Sequence, residues 1–476
     1  MELFEERMEV AKVNDTQKQM VKENKMGTRP MLPLIISMAL PTMFSMLVQA
    51  LYNVVDSYFV AQVSEDSLTA VSLVFPIQTL LIAFGVGTGV GINSLVARRL
   101  GEKRQEEADN AATHGLVLGV FNWVIFALVG VFGSRPFIQA FTSEAELTQL
   151  GIDYMSIVCI FSFGVFIEIN IEKTLQATGN MIFPMVFQLV GAVTNIILDP
   201  IFIFGYLGVP AMGVAGAAIA TVIGQILSMV VAIVVLFTRE HEVKVQLRGF
   251  RFHMQTVKNI YVVGAPSIVM QAIGSVMTMG MNAILIAFGN TAVAFFGVYF
   301  KLQSFVFMPV FGLTQGVMPI LGYNYGAQNK RRLLSALRIC CIIAVVIMAI
   351  GLVIFQLFPG QLLSIFNASE NMLAIGMPAL ATISLCFIPA ALGISFSTLF
   401  QAVGSGISSL LVSLLRQLIL LLPCAFLLSK ISLDAVWYAF PFAEVFSFVA
   451  SLLIAWRIYR RHIKDMPDPK PAAENA

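Results

Sequence analysis

Apolar stretches of twenty or more residues recur twelve times along this chain, at 34–60, 70–97, 111–133, 152–174, 181–203, 213–237, 259–288, 291–321, 336–358, 375–400, 408–429 and 435–459. Each is long enough to cross a hydrocarbon core about 30 Å thick. Inside lipid no water satisfies backbone N–H and C=O groups, so only helices or closed barrels span it, and runs of this length select helices. Composition agrees. Hydrophobic residues are 58% of the chain and charged residues 12%, where a soluble domain carries about 25% charged. A water-soluble fold with that balance would expose far too much apolar surface. The expected fold is an all-α polytopic membrane protein with twelve transmembrane helices.

The first half is written again 225 residues later. Pro41 returns as Pro266, Phe75 as Phe300, Gln78 as Gln303, and Gly87, Gly91 and Gly101 as Gly312, Gly316 and Gly326. Phe141 becomes Phe366, and Gln176-Ala177-x-Gly179 becomes Gln401-Ala402-x-Gly404. A period this long marks a duplicated domain rather than a solenoid. Six spans per copy is an even number, so both copies enter from one side, and the repeat is parallel about an axis along the membrane normal. Two six-helix bundles of this kind place a substrate site between them, which points to a transporter.

Charge placement orients the chain. With the N-terminus inside, the inner segments hold 25 of 29 Lys and Arg residues, Lys173 counted among them at the inner end of the fourth span. Outer loops keep only Arg135 and Lys430. That bias places both termini in the cytoplasm. The expected organisation is a cytoplasmic tail (1–33), a first lobe (34–237), a basic linker (238–258), a second lobe (259–459) and a C-terminal tail (460–476). Residues 1–33 carry no signal peptide and read as a solvated or partly helical tail. The linker, with Arg239, Lys244, Arg248 and Arg251, suits a crossing along anionic headgroups. The expected location is the cell membrane.

Several polar groups interrupt the apolar spans. An acid at mid-membrane costs roughly 2.5–3.5 kcal/mol on insertion scales, so each calls for a reason. Asp56 lies in the first span, with Asn53 three and Gln49 seven residues before it on the same helical face. Asp199 lies in the fifth span, with Asn195 one turn earlier. Pro200 follows and has no N–H for the Ile196 carbonyl, leaving an additional free oxygen nearby. Counting 1.5 Å per residue, both aspartates sit about 6 Å below the outer boundary and Thr221 about 12 Å below it. Two carboxylates, an amide and a hydroxyl meet at that depth. Such hard oxygen ligands suit a small cation, Na⁺ for example, and paired carboxylates equally suit a shared proton. The duplicate lacks them: Asp56 answers to Met281 and Asp199 to Cys424. Other charges within spans are Glu168, Lys301, Arg416 and Glu444, each a candidate cavity group or structural ion pair, with Lys301 and Glu444 able either to neutralise each other or to line the cavity. Pro41 and Pro200, on the acid-bearing helices, are candidate bending points. The abundant Phe and Met suit a cavity that accepts varied apolar cations.

Common catalytic and cofactor signatures are missing. The five cysteines and four histidines show no metal-ligand spacing. The run Gly85-x-Gly87-x-Gly89-x-Gly91 lies inside a span, with the wrong spacing for a dinucleotide fingerprint, and suits close helix approach instead. No nucleophile elbow, HExxH or P-loop occurs. The chain is expected not to be an enzyme and to need no cofactor.

The stretches QALYNVVDSYFVAQ (49–62), GVGINSLVARRLGEK (89–103), QATGN (176–180), NIILDPIFIFG (195–205), MGVAGAAIAT (212–221), QGVMPILGYNYGA (315–327) and AFPFAEV (439–445) together resemble the multidrug and toxic compound extrusion (MATE) family over residues 28–464. The resemblance implies two six-helix lobes that export cationic drugs in exchange for Na⁺ or H⁺. In the similar branch the coupling acids lie in the first lobe, and by motif those positions are Asp56, Asn195, Asp199 and Thr221. Another branch uses acids in its seventh and tenth helices; around Met270-Gln271-Ala272 and Phe396-Ser397-Thr398 this chain has none. The implied partners are small organic cations, drugs and membrane lipid, with no nucleic acid, and the implied state is a monomer. The main alternative is a lipid-linked saccharide flippase of the same superfamily, which calls for a strongly cationic central cavity; only Lys301 and Arg416 are cations within spans. A more distant alternative is an intramembrane enzyme, for which no nucleophile–base pair is present.

Overall fold

The computed structural model describes residues 24–366 and 368–467. Every regular element among them is helical. We number the spans α1 (Met31–Ala61), α2 (Glu65–Gly101), α3 (Gln105–Gln139), α4 (Ala145–Ile160 and Phe163–Ala177), α5 (Ile182–Phe204) and α6 (Gly213–Thr238). The second six are α7 (Met254–Phe288), α8 (Asn290–Gly326), α9 (Lys330–Leu357), α10 (Glu370–Ser384 and Phe387–Ala402), α11 (Gly406–Leu428) and α12 (Leu433–Ile463). Ten are long and apolar enough to cross a membrane alone, and α4 and α10 qualify as bent pairs. The described ends of the chain lie together, with Lys330 donating to the carbonyl of Lys464 and Arg332 to the carbonyls of Met26 and Arg29. That side is called the terminal end below.

The bends fall at the same place in both copies, 42° between Ile160 and Phe163 and 49° between Ser384 and Phe387. No proline lies in either break. Each opened turn is instead served by a side chain from the neighbouring third helix of its own copy. Trp123 Nε1 donates to the Ile160 carbonyl at 2.8 Å, and Gln356 Nε2 donates to the Ala381 carbonyl at 2.6 Å. A polar side chain inserted into the helical ladder is a recognised cause of a kink. α1 and α5, by contrast, run continuously through Pro41 and Pro200.

The glycine-rich run of α2 resolves into two interleaved stripes. Gly85 and Gly89 face α4, where an added Cβ would meet Ile169 and Lys173; Gly87 and Gly91 face α7, where it would meet Ile268 and the Ile260 carbonyl. One helix is thereby clasped between its own bundle and the other. The duplicate positions on α8 do the same toward α1: an added Cβ at Gly312 would meet Met43, and one at Gly316 would meet Ala39. Near the terminal end Gly101 faces the Tyr323 carbonyl and Gly326 the Arg98 carbonyl, a reciprocal pair across the two copies. α1 with α8 and α2 with α7 form this seam, and Thr42 Oγ1 donates across it to the Gly312 carbonyl at 2.7 Å.

Two expectations about the flanking segments change. Residues 24–29 fit the partly helical reading, with a short helix at Lys25–Thr28, but they are docked rather than free: Met26 is fully buried, Asn24 donates to the Thr178 carbonyl at 3.2 Å and to Glu242, and Asn324 donates to the Met26 carbonyl at 3.1 Å. This short turn therefore touches both halves of the protein. Glu5, Glu6, Arg7, Lys18, Lys22 and Glu23 lie outside the described residues. The linker is strapped to α3. The Lys244 amide donates to Asp109 and the His253 amide to His114 Nε2, both at 2.9 Å, and the His114 ring packs on Phe250. Burial holds the Glu242 carboxyl above its ordinary range, partly offset by Asn24 and Lys25. Burial, then Arg29, holds the Lys25 ammonium below its ordinary range.

Candidate functional site

α5 carries the centre of the site. Asn195 and Asp199 stand one helical turn apart, so the Asn195 amide reaches down its own helix and donates from Nδ2 to Asp199 Oδ1 at 3.2 Å. The same nitrogen donates to Thr221 Oγ1 of α6 at 3.1 Å. Both amide hydrogens are thus engaged, which leaves the amide oxygen as the free side of the group. Asn195 Oδ1 is buried and accepts no hydrogen bond among the described residues. Asp199 is fully buried, Asn195 2% exposed and Thr221 4% exposed. Pro200 continues the helix without an N–H, so the Ile196 carbonyl lacks its usual partner.

Asp199 lies five residues from the end of α5 at Phe204, about 8 Å along the axis. The cluster therefore sits in the half of the first bundle away from the terminal end. α1 packs against both α5 and α6. Asp56 lies on α1, and its side chain is outside those described. On the same helix Gln49 is half-buried and Asn53 exposed. The arrangement gathers a carboxylate, an amide oxygen and a hydroxyl in apolar surroundings. Chemically it can hold a proton on Asp199 or a small hard cation between oxygens.

The remaining charged candidates distribute differently from the sequence expectation. Glu444 pairs with Arg416 at 3.4 Å, not with Lys301. Lys301 stands 6.0 Å from the centre of the Phe366 ring. Arg416 lies in a π-helical stretch, Leu415–Leu421, whose wider turn re-aims its side chain relative to a regular helix. Lys173 is also reassigned. It is not a loop residue: it lies within Phe163–Ala177 of α4 and is 5% exposed. Its Nζ donates to Glu172 at 2.8 Å, to Gln176 at 3.1 Å and across the seam to Gln315 of α8 at 2.9 Å. Glu172, Gln176, Gln188 and Gln315 were missed by the sequence reading. The signal was present, since Glu168, Glu172 and Gln176 recur every four residues and mark one polar face of α4. Glu168 stands on that face, 7% exposed.

Two six-helix copies, a glycine-lined seam and a buried acid cluster in one copy define the architecture. The family model described as MatE matches the chain twice, over residues 41–201 and 266–427. The chain belongs to the MatE family. The two matches begin 225 residues apart, in the register of the internal repeat. The chain is 24% identical over 425 residues to multidrug export protein MepA of Staphylococcus saprophyticus, covering 89% of this chain and 93% of that protein. It is 26% identical over 445 residues to MepA of Staphylococcus aureus strain N315, covering 91% and 95%. Among solved structures it is similar to an outward-facing multidrug resistance MATE family transporter of the MOP superfamily, with TM-score 0.88, 27% identity and coverage of 93% and 99%. It is also similar to a MOP superfamily transporter from Pyrococcus furiosus, described as having a binding pocket of reverse polarity that suggests a different function. That match has TM-score 0.86, 27% identity and coverage of 92% and 98%. The MatE chain is thus an all-α polytopic membrane protein of a transporter family, not an enzyme.

Proposed function

We propose that this MatE protein is a secondary active antiporter that exports cationic, amphiphilic drugs in exchange for Na⁺ or H⁺. The observation that carries the reading is the buried Asn195–Asp199–Thr221 cluster, in which both Asn195 amide hydrogens are used within the cluster and the Asn195 Oδ1 acceptor is buried and unbonded among the described residues. Asp56, Asn195, Asp199 and Thr221 form the coupling site. Gln49 and Asn53 supply a polar face beside it. A carboxylate buried among apolar helices is stabilised by taking up a proton or a cation and destabilised on losing it, so occupancy biases the packing of α1, α5 and α6. Pro41 and Pro200 are the positions where those helices bend in response.

Residues 34–237 and 259–459 act as two lobes, and the glycine seam between them parts at the terminal end during alternating access. With Lys173 set aside as buried in α4, the 24-to-2 distribution of basic residues supports a cytoplasmic terminal end in the cell membrane. The names of the MepA relatives support drugs as substrates. A flippase for an anionic headgroup is disfavoured by the fate of the span cations. Arg416 is paired with Glu444, and Lys301 stands over an aromatic ring.

The test is export of a fluorescent organic cation from vesicles, driven by a Na⁺ gradient or a pH gradient applied one at a time. Wild type is expected to respond to one of them, and Asp199→Asn and Asp56→Asn to lose that response. Full gradient-driven export in both variants would exclude the site. Wild-type movement of a lipid-linked saccharide instead of the organic cation would favour the flippase.

A further inference from the structure

A second concentration of buried charge lies in the first bundle, deeper toward the terminal end. Glu168, Glu172 and Lys173 are 7%, 2% and 5% exposed. Two carboxylates and one ammonium leave one negative charge without a counter-charge. The hydrogen bonds show which carboxylate carries it. Glu172 Oε1 accepts from Lys173 and, at 2.7 Å, from Gln176, while Oε2 accepts from Gln188 at 3.4 Å. Lys173 has three hydrogens. Glu172, Gln176 and Gln315 take all three. None remains for Glu168, whose Oε1 is buried and accepts no hydrogen bond among the described residues.

Among the described residues the surrounding helices offer nothing else to balance it. The charged groups that act on Glu168 are Glu172 and Lys173. α6 carries no titratable side chain. On α2 the charges are at the ends: Arg98 donates to the Ser94 carbonyl and Arg99 is paired with Glu102 and Glu107. On α3, His114 is held by the Asn110 carbonyl and the His253 amide. α5 contributes Gln188 here, and its acid, Asp199, lies about 16 Å higher along the axis. α8 contributes Gln315, with Lys301 over Phe366. A further acceptor stands on the α2 face toward this site. Asn93 is one turn on from Gly89, which touches Lys173, and its Oδ1 is buried and accepts no hydrogen bond among the described residues.

A buried carboxylate with no partner is strongly unfavourable, and the cost is removed by a bound positive charge. We propose that Glu168, beside the Glu172–Lys173 pair, forms a second site for one monovalent cation, a proton or Na⁺, separate from the Asn195–Asp199–Thr221 cluster. The site spans both bundles because Gln315 of α8 holds one of the three Lys173 hydrogens. Parting of the seam returns that hydrogen to the first bundle, where it can serve Glu168 and weaken the hold on the cation. Binding here therefore favours the joined seam, and by linkage the joined seam favours binding.

The experiment is infrared difference spectroscopy of the full chain in lipid nanodiscs, titrated with acid in Na⁺-free buffer and then with Na⁺ at fixed pH. The readout is the C=O stretch of protonated carboxyl groups and the carboxylate bands. Wild type is expected to show a titrating group that Glu168→Gln removes and Asp199→Asn retains. Glu172→Gln balances the cluster through Lys173 and should also lose one bound cation. Gln315→Ala should weaken binding at this site. A band that titrates with acid and ignores Na⁺ identifies a proton; a carboxylate band shifted by Na⁺ identifies the metal ion. If Glu168→Gln and Glu172→Gln, both shown folded by thermal melting, keep every titrating and Na⁺-sensitive band of wild type, the site does not exist. That result would leave the Asp199 site untouched, whose own band is removed by Asp199→Asn.

Discussion

Replacing Gly91 with alanine tests whether the repeat glycines hold the two bundles together. A Cβ at Gly91 would lie 2.2 Å from the Ile260 carbonyl oxygen, a backbone atom of α7. Carbon–oxygen contacts settle at about 3.3–3.6 Å, so α2 and α7 must separate by about 1 Å. Overpacking of this kind costs about 1–3 kcal/mol. Alanine also favours helix over glycine by about 1 kcal/mol, but that gain is present whether the seam is joined or parted and cancels from this equilibrium. At 1.4 kcal/mol per tenfold, the joined form should lose about 5–150-fold in its equilibrium constant. Gly316→Ala, the duplicate position, places its Cβ 2.8 Å from Ala39 Cα and should act in the same direction. Gly393→Ala is the control, since nothing lies within 4 Å of its added Cβ. Spin labels at the exposed Glu106 and Arg331, at the terminal ends of α3 and α9, report the seam by pulsed electron resonance. Longer distances are expected in Gly91→Ala and Gly316→Ala. Distances matching those of Gly393→Ala would refute the packing argument.

Two further perturbations probe the charges and the end of the seam. Lys173→Met leaves Glu172 buried without its cation and should cost about 3–5 kcal/mol, seen as a lower melting temperature in detergent; the Glu172→Met/Lys173→Met double variant should recover much of that loss, and equal melting of the single variant and wild type would contradict the pairing. Arg332→Ala frees the carbonyl of Arg29 and leaves that of Met26 to Asn324 alone, so amide exchange across residues 24–29 should quicken, while exchange in α6 stays unchanged.

The membrane fold was legible because apolar runs and repeated glycines are local signals that survive in one dimension. The same holds for Asn195 and Asp199, whose four-residue spacing forces them onto one face of α5. Pairings between helices were harder. Lys301 and Glu444 are both charged and lie within spans of the second lobe, yet Glu444 meets Arg416 in the π-helical stretch of α11, a pairing that spacing alone does not encode. Lys173 counts in the sequence among the cytoplasmic basic residues, but α4 continues to Ala177, and Gln315 of the other copy accepts a hydrogen bond from its buried ammonium. The bends of α4 and α10 carry no proline, so they are visible only once Trp123 and Gln356 are seen at the opened turns. The contacts that tie residues 24–29 into the seam likewise depend on partners about 300 residues away, such as Asn324 and Arg332.

The claim that matters most is that Asp199, within its buried cluster, binds the cation that drives export. Its most direct test is cation countermovement during drug exchange: vesicles loaded with a pH-sensitive dye, or with radioactive Na⁺, are given the fluorescent organic cation without any imposed gradient. Wild type should move a proton or Na⁺ opposite to the drug. Asp199→Asn should still bind the drug but move no cation against it. Countermovement in Asp199→Asn equal to wild type would contradict the account.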